Sequence, residues 1–91
     1  MSMAQLRENI DILDGELVAM LATRQGYIER AAALKTERGQ IRDSARIEDV
    51  VAKVRARAAQ KGLSPAMAET VWRALIEASI AHEYELFDRH G

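Results

Sequence analysis

The residues of this chain best placed to do chemistry sit where an apolar stripe is expected. Along the first third, Leu6, Ile10, Leu13, Leu17 and Met20 recur at steps of four and three, the period of a helix seam. Arg24 takes the next seam position, and Tyr27, Ala31 and Leu34 continue the pattern. Lys35 follows eleven residues after Arg24, and eleven steps of about 100° return to within about 20° of the same face. On that spacing the two cations face one way, about 16 Å apart, above an apolar floor of Ile28 and Ala31. Near the other end, Trp72, Ile76, Ser79 and Glu83 share one stripe, so a hydroxyl and a carboxylate interrupt a second apolar face. A cavity between bundled helices lined by Arg24, Lys35, Ser79 and Glu83 would be rich in cations and suited to a small anion. A carboxylate fits best, because a guanidinium holds it through two parallel hydrogen bonds.

Other chemistries find no footing. The chain has no cysteine, hence no disulfide, thiolate nucleophile or thiolate metal site. Its two histidines, His82 and His90, have no second metal-type ligand at helical spacing, and His82 reads as a surface residue. No Ser-His-Asp pattern or phosphate-cradling glycine loop occurs, so no metal and no cofactor are expected. Thirteen basic and fourteen acidic residues leave a formal charge of −1, unlike the basic footprint of a nucleic-acid binder. Arg55, Arg57 and Lys61 alternate with alanines rather than aromatics and read as a solvated face. There is no apolar run of about eighteen residues to span a membrane. The opening Met1-Ser2-Met3-Ala4-Gln5 does not resemble a secretory leader. The expectation is a soluble, cytoplasmic, single domain covering residues 1–91.

Three helices must position these residues, in an all-α fold. The first is expected from about Met3 to about Arg38, opened by a capping box of Ser2 and Gln5 and closed by Gly39 at the C′ position. Asp43 or Ser44 caps a second helix over about Ala45 to Gln60, with Ile47, Val50, Val51 and Val54 as its stripe, and Lys61-Gly62-Leu63 closes it. Ser64-Pro65, a capping serine before a proline at the first helical position, opens a third that runs to the end. A first helix of about 35 residues is a rod of roughly 50 Å. A compact chain of this size has a radius of gyration of about 13 Å and a diameter of roughly 33 Å. The rod overhangs with its apolar stripe exposed, and a second copy of the chain is the simplest cover, giving an intertwined homodimer. A kink at Gly15 or Gly26 that folds the rod back is the alternative.

The run Leu6-Arg7-Glu8-Asn9-Ile10-Asp11-Ile12-Leu13-Asp14 resembles the opening of the all-helical chorismate mutases. Arg24, Lys35, Arg42-Asp43, Arg46, Gly62-Leu63 and Ile76-Glu77-Ala78-Ser79-Ile80 continue the resemblance in order over nearly the whole chain. It implies a three-helix protomer, intertwined through a long first helix into a homodimer with two equivalent sites. The implied reaction is the Claisen rearrangement of chorismate, a dicarboxylate, to prephenate on the route to phenylalanine and tyrosine, without a cofactor. By the same resemblance Arg7 reaches one substrate carboxylate from the partner chain, and Arg24 holds a carboxylate within its own. Arg7 and Arg24, about 25 Å apart on one rod, could not grip one small dianion from a single chain. Lys35 would donate to the ether oxygen whose bond breaks, with Glu83 opposite it. Asp43 and Arg46 would line the loop side, and Ser79 would help hold a carboxylate. One departure stands out. Ile47 occupies a position where the family commonly has a glutamate for the ring hydroxyl, and Glu48 is one step further round. This also resembles the sister isochorismate-pyruvate lyases, which form salicylate on the same fold. A non-catalytic helical dimer that binds an aromatic-pathway metabolite is the third alternative.

Overall fold

A computed structural model of the chain describes residues 1–90. It contains α1 (Met3–Ala33), a single 3-10 turn (Arg38–Gln40), α2 (Ser44–Lys61) and α3 (Pro65–His90), with no strand among the described residues. The expectation that α3 runs to the end includes Gly91, which lies outside the described residues. The helix starts follow local chemistry. Ser2 and Gln5 form the expected reciprocal capping box, each side chain taking the other's backbone N–H. Asp43, rather than Ser44, caps α2 by accepting from the Arg46 N–H at 3.0 Å. Ser64 Oγ accepts from the Met67 N–H at 3.2 Å ahead of α3. At the end of α2, Gly62 adopts φ +77°, and Leu63 N–H closes back on Ala58 O at 2.9 Å. A side chain is strained in that left-handed conformation, which is why glycine stands there.

The end of α1 corrects the sequence-based expectation. The helix stops at Ala33, five residues before Arg38, and Gly39 lies inside the 3-10 turn rather than at a left-handed C′ position. Leu34 and Lys35 N–H bond to Ala31 and Ala32 O, tightening the last turn. The chain then leaves the helix so that Ile41, 3 % exposed, can enter the core. Burial of a large aliphatic side chain stabilises by about 1.5–3 kcal/mol, and stopping early forgoes little, because the N–H groups of Leu34, Lys35, Thr36 and Glu37 all find other acceptors. Lys35 therefore stands beyond the helix, and the rotation that placed it on the face of Arg24 does not apply to it.

The core is small: Ile41, Val51, Ile76 and Ile80, with Trp72, Tyr84 and Phe87 of α3 packed against them. The ion pairs Arg73–Glu48 at 2.8 Å and Arg55–Glu69 at 2.7 Å link α2 to an antiparallel α3. The pairs Arg24–Ser79 and Glu29–His82 ascend together, so α1 and α3 run in the same sense. His82 is thus not a free surface side chain; it is half-buried and bonded to Glu29 of α1 at 2.9 Å. Arg55, read as part of a solvated face, is likewise engaged with Glu69 across the helix pair.

Only the C-terminal part of α1 meets the rest of the chain. Arg24, Ile28 and Ala32 face α3, a stripe that departs from the seam after Arg24. Leu6, Ile10, Leu13, Leu17 and Met20 are all exposed, as are Tyr27 and Leu34 further along. The 31-residue helix continues unbroken past Gly15 and Gly26, so the kinked alternative is excluded. The molecule measures 53 × 25 × 15 Å with a radius of gyration of 16.1 Å, against about 13 Å for a compact chain. No helix among the described residues is long and apolar enough to cross a membrane.

Hydrogen bonds from Arg73 hold the Glu48 and Glu69 carboxyls below their ordinary values; Lys53, then Arg46, does the same for Asp49. A carboxylate with a depressed value in the folded chain contributes stability above its unfolded value and loses it as pH falls through the folded one. Thermal midpoints followed by circular dichroism should accordingly decline from about pH 5 to about pH 3. Added salt should flatten that decline, because these groups face solvent.

Candidate active site

A cavity of about 420 Å³ lies between the end of α1, the loop after it, the start of α2 and the middle of α3. Its polar lining contains Arg24, Lys35, Asp43, Arg46, Ser79 and Glu83, six of the seven residues singled out from the sequence. Ile28 and Ala31 form part of its floor, and Ile47, Val50, Ile76 and Ile80 supply apolar wall. Arg7 does not line it; that side chain is exposed on the uncovered half of α1.

Each polar group is held by a definable contact. Arg24 Nη1 donates to Ser79 Oγ at 2.8 Å, joining α1 to α3. Ser79 is only 7 % exposed, so this bond fixes the guanidinium while leaving its other donors for a guest. Burial lowers the pKa of Arg24, and repulsion from Arg46 adds to the effect. Two guanidiniums close enough to repel are a feature that an anion between them would relieve. Arg46 meanwhile contacts Asp49 Oδ2 at 2.7 Å on its own helix.

The second anchor is Lys35 Nζ, 2.6 Å from Glu83 Oε1. Glu83 is 5 % exposed, a carboxylate on an apolar helix face, and Lys35 neutralises it. No buried side-chain polar atom among the described residues lacks a partner. Asp43 has one oxygen committed to capping α2, so its position is set by the helix it starts. Three cations against two carboxylates leave the cavity one net positive charge. That favours an anion but falls short of matching a dianion.

The loop carrying Lys35, Gln40 and Asp43 is strapped to α3 from outside. Arg42 makes two hydrogen bonds to Glu77, at 2.9 and 2.6 Å. Arg38 lies 4.3 Å from the centre of the Tyr84 ring and bonds to Asp88 at 3.1 Å. Glu77, Tyr84 and Asp88 are seven and four residues apart and share one face of α3, next to the face that carries Glu83. Sequence reasoning did not pick out Tyr27 or Gln40, which also line the cavity. Tyr27 was absorbed into the seam. Gln40 looked like ordinary loop, because its use depends on where α1 stops. Among the described residues no cluster of His, Asp and Glu could hold a metal ion.

Residues 6–84 match the protein-family model described as chorismate mutase type II. A search of curated proteins finds no match.

Proposed function

The chain belongs to the chorismate mutase type II family, a family of isomerases, and from that premise we propose how this cavity rearranges chorismate to prephenate. The observation that carries the proposal is the convergence of Arg24, Lys35, Arg46, Ser79 and Glu83 on one mostly apolar cavity. A pericyclic rearrangement needs no nucleophile. It needs the substrate folded so that the ends of the forming bond approach, and it needs charge stabilised where the ether bond lengthens. Arg24 and Ser79 hold one carboxylate; Arg46 and Asp43 border the loop side, where Arg46 can leave Asp49 for the substrate. Lys35 donates to the ether oxygen. Glu83, opposite, is a second donor to that oxygen once it is protonated.

Lys35→Ala removes the main preorganised donor, and kcat should fall by about 10²–10³-fold in a chorismate absorbance assay. A loss under about tenfold counts against this role for Lys35. Glu83→Gln keeps a side-chain donor opposite Lys35 and should retain most of kcat, whereas Glu83→Ala should lose at least about tenfold. Full kcat in Glu83→Ala removes Glu83 from the mechanism.

The site reads as one half of a homodimer. The missing positive charge and the bare seam of α1 have a common remedy, a second α1 that covers the seam and brings its own Arg7 to the cavity. Homodimers of Arg7→Ala and of Arg24→Ala should each be inactive. Mixed after partial denaturation, they should recover about a quarter of wild-type activity, since half of the dimers would be mixed and each would hold one intact site. No recovery from well-folded mixed dimers would rule out sharing of the site between chains.

Isochorismate-pyruvate lyase activity is the second reading, favoured by one observation. Ile47 lines the cavity where a hydroxyl-binding glutamate is common in the family, while Glu48 is turned away into its ion pair with Arg73. Supplying isochorismate and following salicylate fluorescence separates the two activities. Placement in the cytoplasm, on the route to phenylalanine and tyrosine, belongs to the mutase reading.

A further inference from the structure

Lys35 poses a positional problem. It stands outside α1, on a loop, yet the proposed role requires its ammonium to be fixed to within a fraction of an ångström. Its salt bridge with Glu83 restrains the tip of the side chain, but that bond must loosen or rearrange when a substrate oxygen arrives between the two groups. Something must hold the backbone.

Where α1 stops, the backbone N–H groups of Thr36 and Glu37 lose the carbonyl partners that a continuing helix would give them. Both turn instead to a single atom, Oε1 of Gln40. Thr36 N–H donates to it at 2.8 Å and Glu37 N–H at 3.0 Å, with the Thr36 hydroxyl at 3.4 Å. Gln40 is itself fixed, because its own N–H bonds to Glu37 O at 3.1 Å and the next residue, Ile41, is buried in the core. The side chain therefore ties the two residues following Lys35 to the position next to Ile41, the buried residue of the loop. Because Oε1 receives two backbone donors, the orientation of the amide is determined, and Gln40 is also one of the residues lining the cavity.

We propose that Gln40 is a positioning residue for the reaction, acting through Lys35: its side-chain oxygen clasps the loop so that the Lys35 ammonium is held at the substrate's ether oxygen. The proposal rests on the reading of Lys35 given above. The clasp depends on an acceptor at this position, so two substitutions separate it from the mere presence of a side chain at the cavity rim. Gln40→Leu removes the acceptor. Gln40→Glu keeps an acceptor for Thr36 and Glu37 but sets a negative charge at the rim of a site for a dianion.

The experiment measures kcat and KM for chorismate in wild type, Gln40→Leu and Gln40→Glu. Amide hydrogen exchange at Thr36 and Glu37 of the wild type is followed alongside. A misplacement of about 1 Å can cost about 10²-fold, so Gln40→Leu should lose at least about tenfold in kcat. Gln40→Glu should recover most of that kcat while its KM rises. In the wild type the Thr36 and Glu37 amides should exchange far more slowly than open-loop amides. Full kcat in Gln40→Leu would overturn the proposal, and so would a kcat in Gln40→Glu as low as that of the leucine variant. Should Gln40→Leu fail to fold, unprotected amides at Thr36 and Glu37 in the wild type would overturn it without any variant. If the wild type does not turn over chorismate, the mutase reading itself falls, and the role of Gln40 in that reaction falls with it. Protected amides would then still establish the clasp as a feature of the loop alone.

Discussion

A carboxylate that is only 5 % exposed must be neutralised, and the way Glu83 achieves this organises the cavity. Its partner is Lys35, which reaches it from the loop that follows the end of α1. A buried ion pair contributes little net stability, because desolvating both charges offsets most of their attraction. Removing one member of such a pair costs about 3–5 kcal/mol, because the other is left buried and alone. Such a pair is therefore poor reinforcement for a chain with so small a core. Its value lies in presenting two groups of opposite charge at one point in an apolar wall, where a polar guest can be received between them.

The rest of the site is built around the same requirement, that charges held in a dry place be held by something. Arg24 leans on Ser79, Asp43 on the start of α2, and the loop on Gln40 within and Arg38 and Arg42 outside. Each contact joins two elements or closes one, so the cavity's shape and its polar groups share one set of supports. The α2–α3 pair forms the rigid side: it contains the buried Ala58 and Ala68 contacts as well as most of the aliphatic core. The first half of α1 belongs to no such support in the single chain. A row of exposed leucine, isoleucine and methionine side chains over a rod of about 46 Å is unstable in water by itself, since an isolated helix gains little without an apolar partner.

The early end of α1 marks a boundary between what the chain's pattern can say and what it cannot. Extending the helix to Arg38 follows from propensity, because Leu34, Lys35, Glu37 and Arg38 are all good helix formers. What ended it was the burial of Ile41, a contact between residues more than thirty positions apart in the chain. Lys35 nonetheless lines the same cavity as Arg24, Ser79 and Glu83, and its placement there comes from the loop rather than from helical rotation. The bond of His82 and the use of Gln40 are illegible in the sequence for a related reason: the partner of the first lies on another helix, and the use of the second depends on where a helix stops.

The sequence by itself determined the three helices, the caps at Ser2 and Ser64, the glycine turn at Gly62 and the two polar interruptions on the first and third helical patterns, because these follow from local hydrogen bonding and from periodicities of a few residues. It also determined that α1 is too long for its own chain to cover. Only the tertiary structure decided that Arg24 meets Ser79, that Lys35 meets Glu83 from a loop, and that below Arg24 the stripe on α3 is met by Ile28 and Ala32 rather than by Tyr27, Ala31 and Leu34. Those outcomes turn on how three helices cross and on which of two neighbouring stripes is buried. Packing energy summed over distant residues settles such questions, and no local pattern encodes that sum.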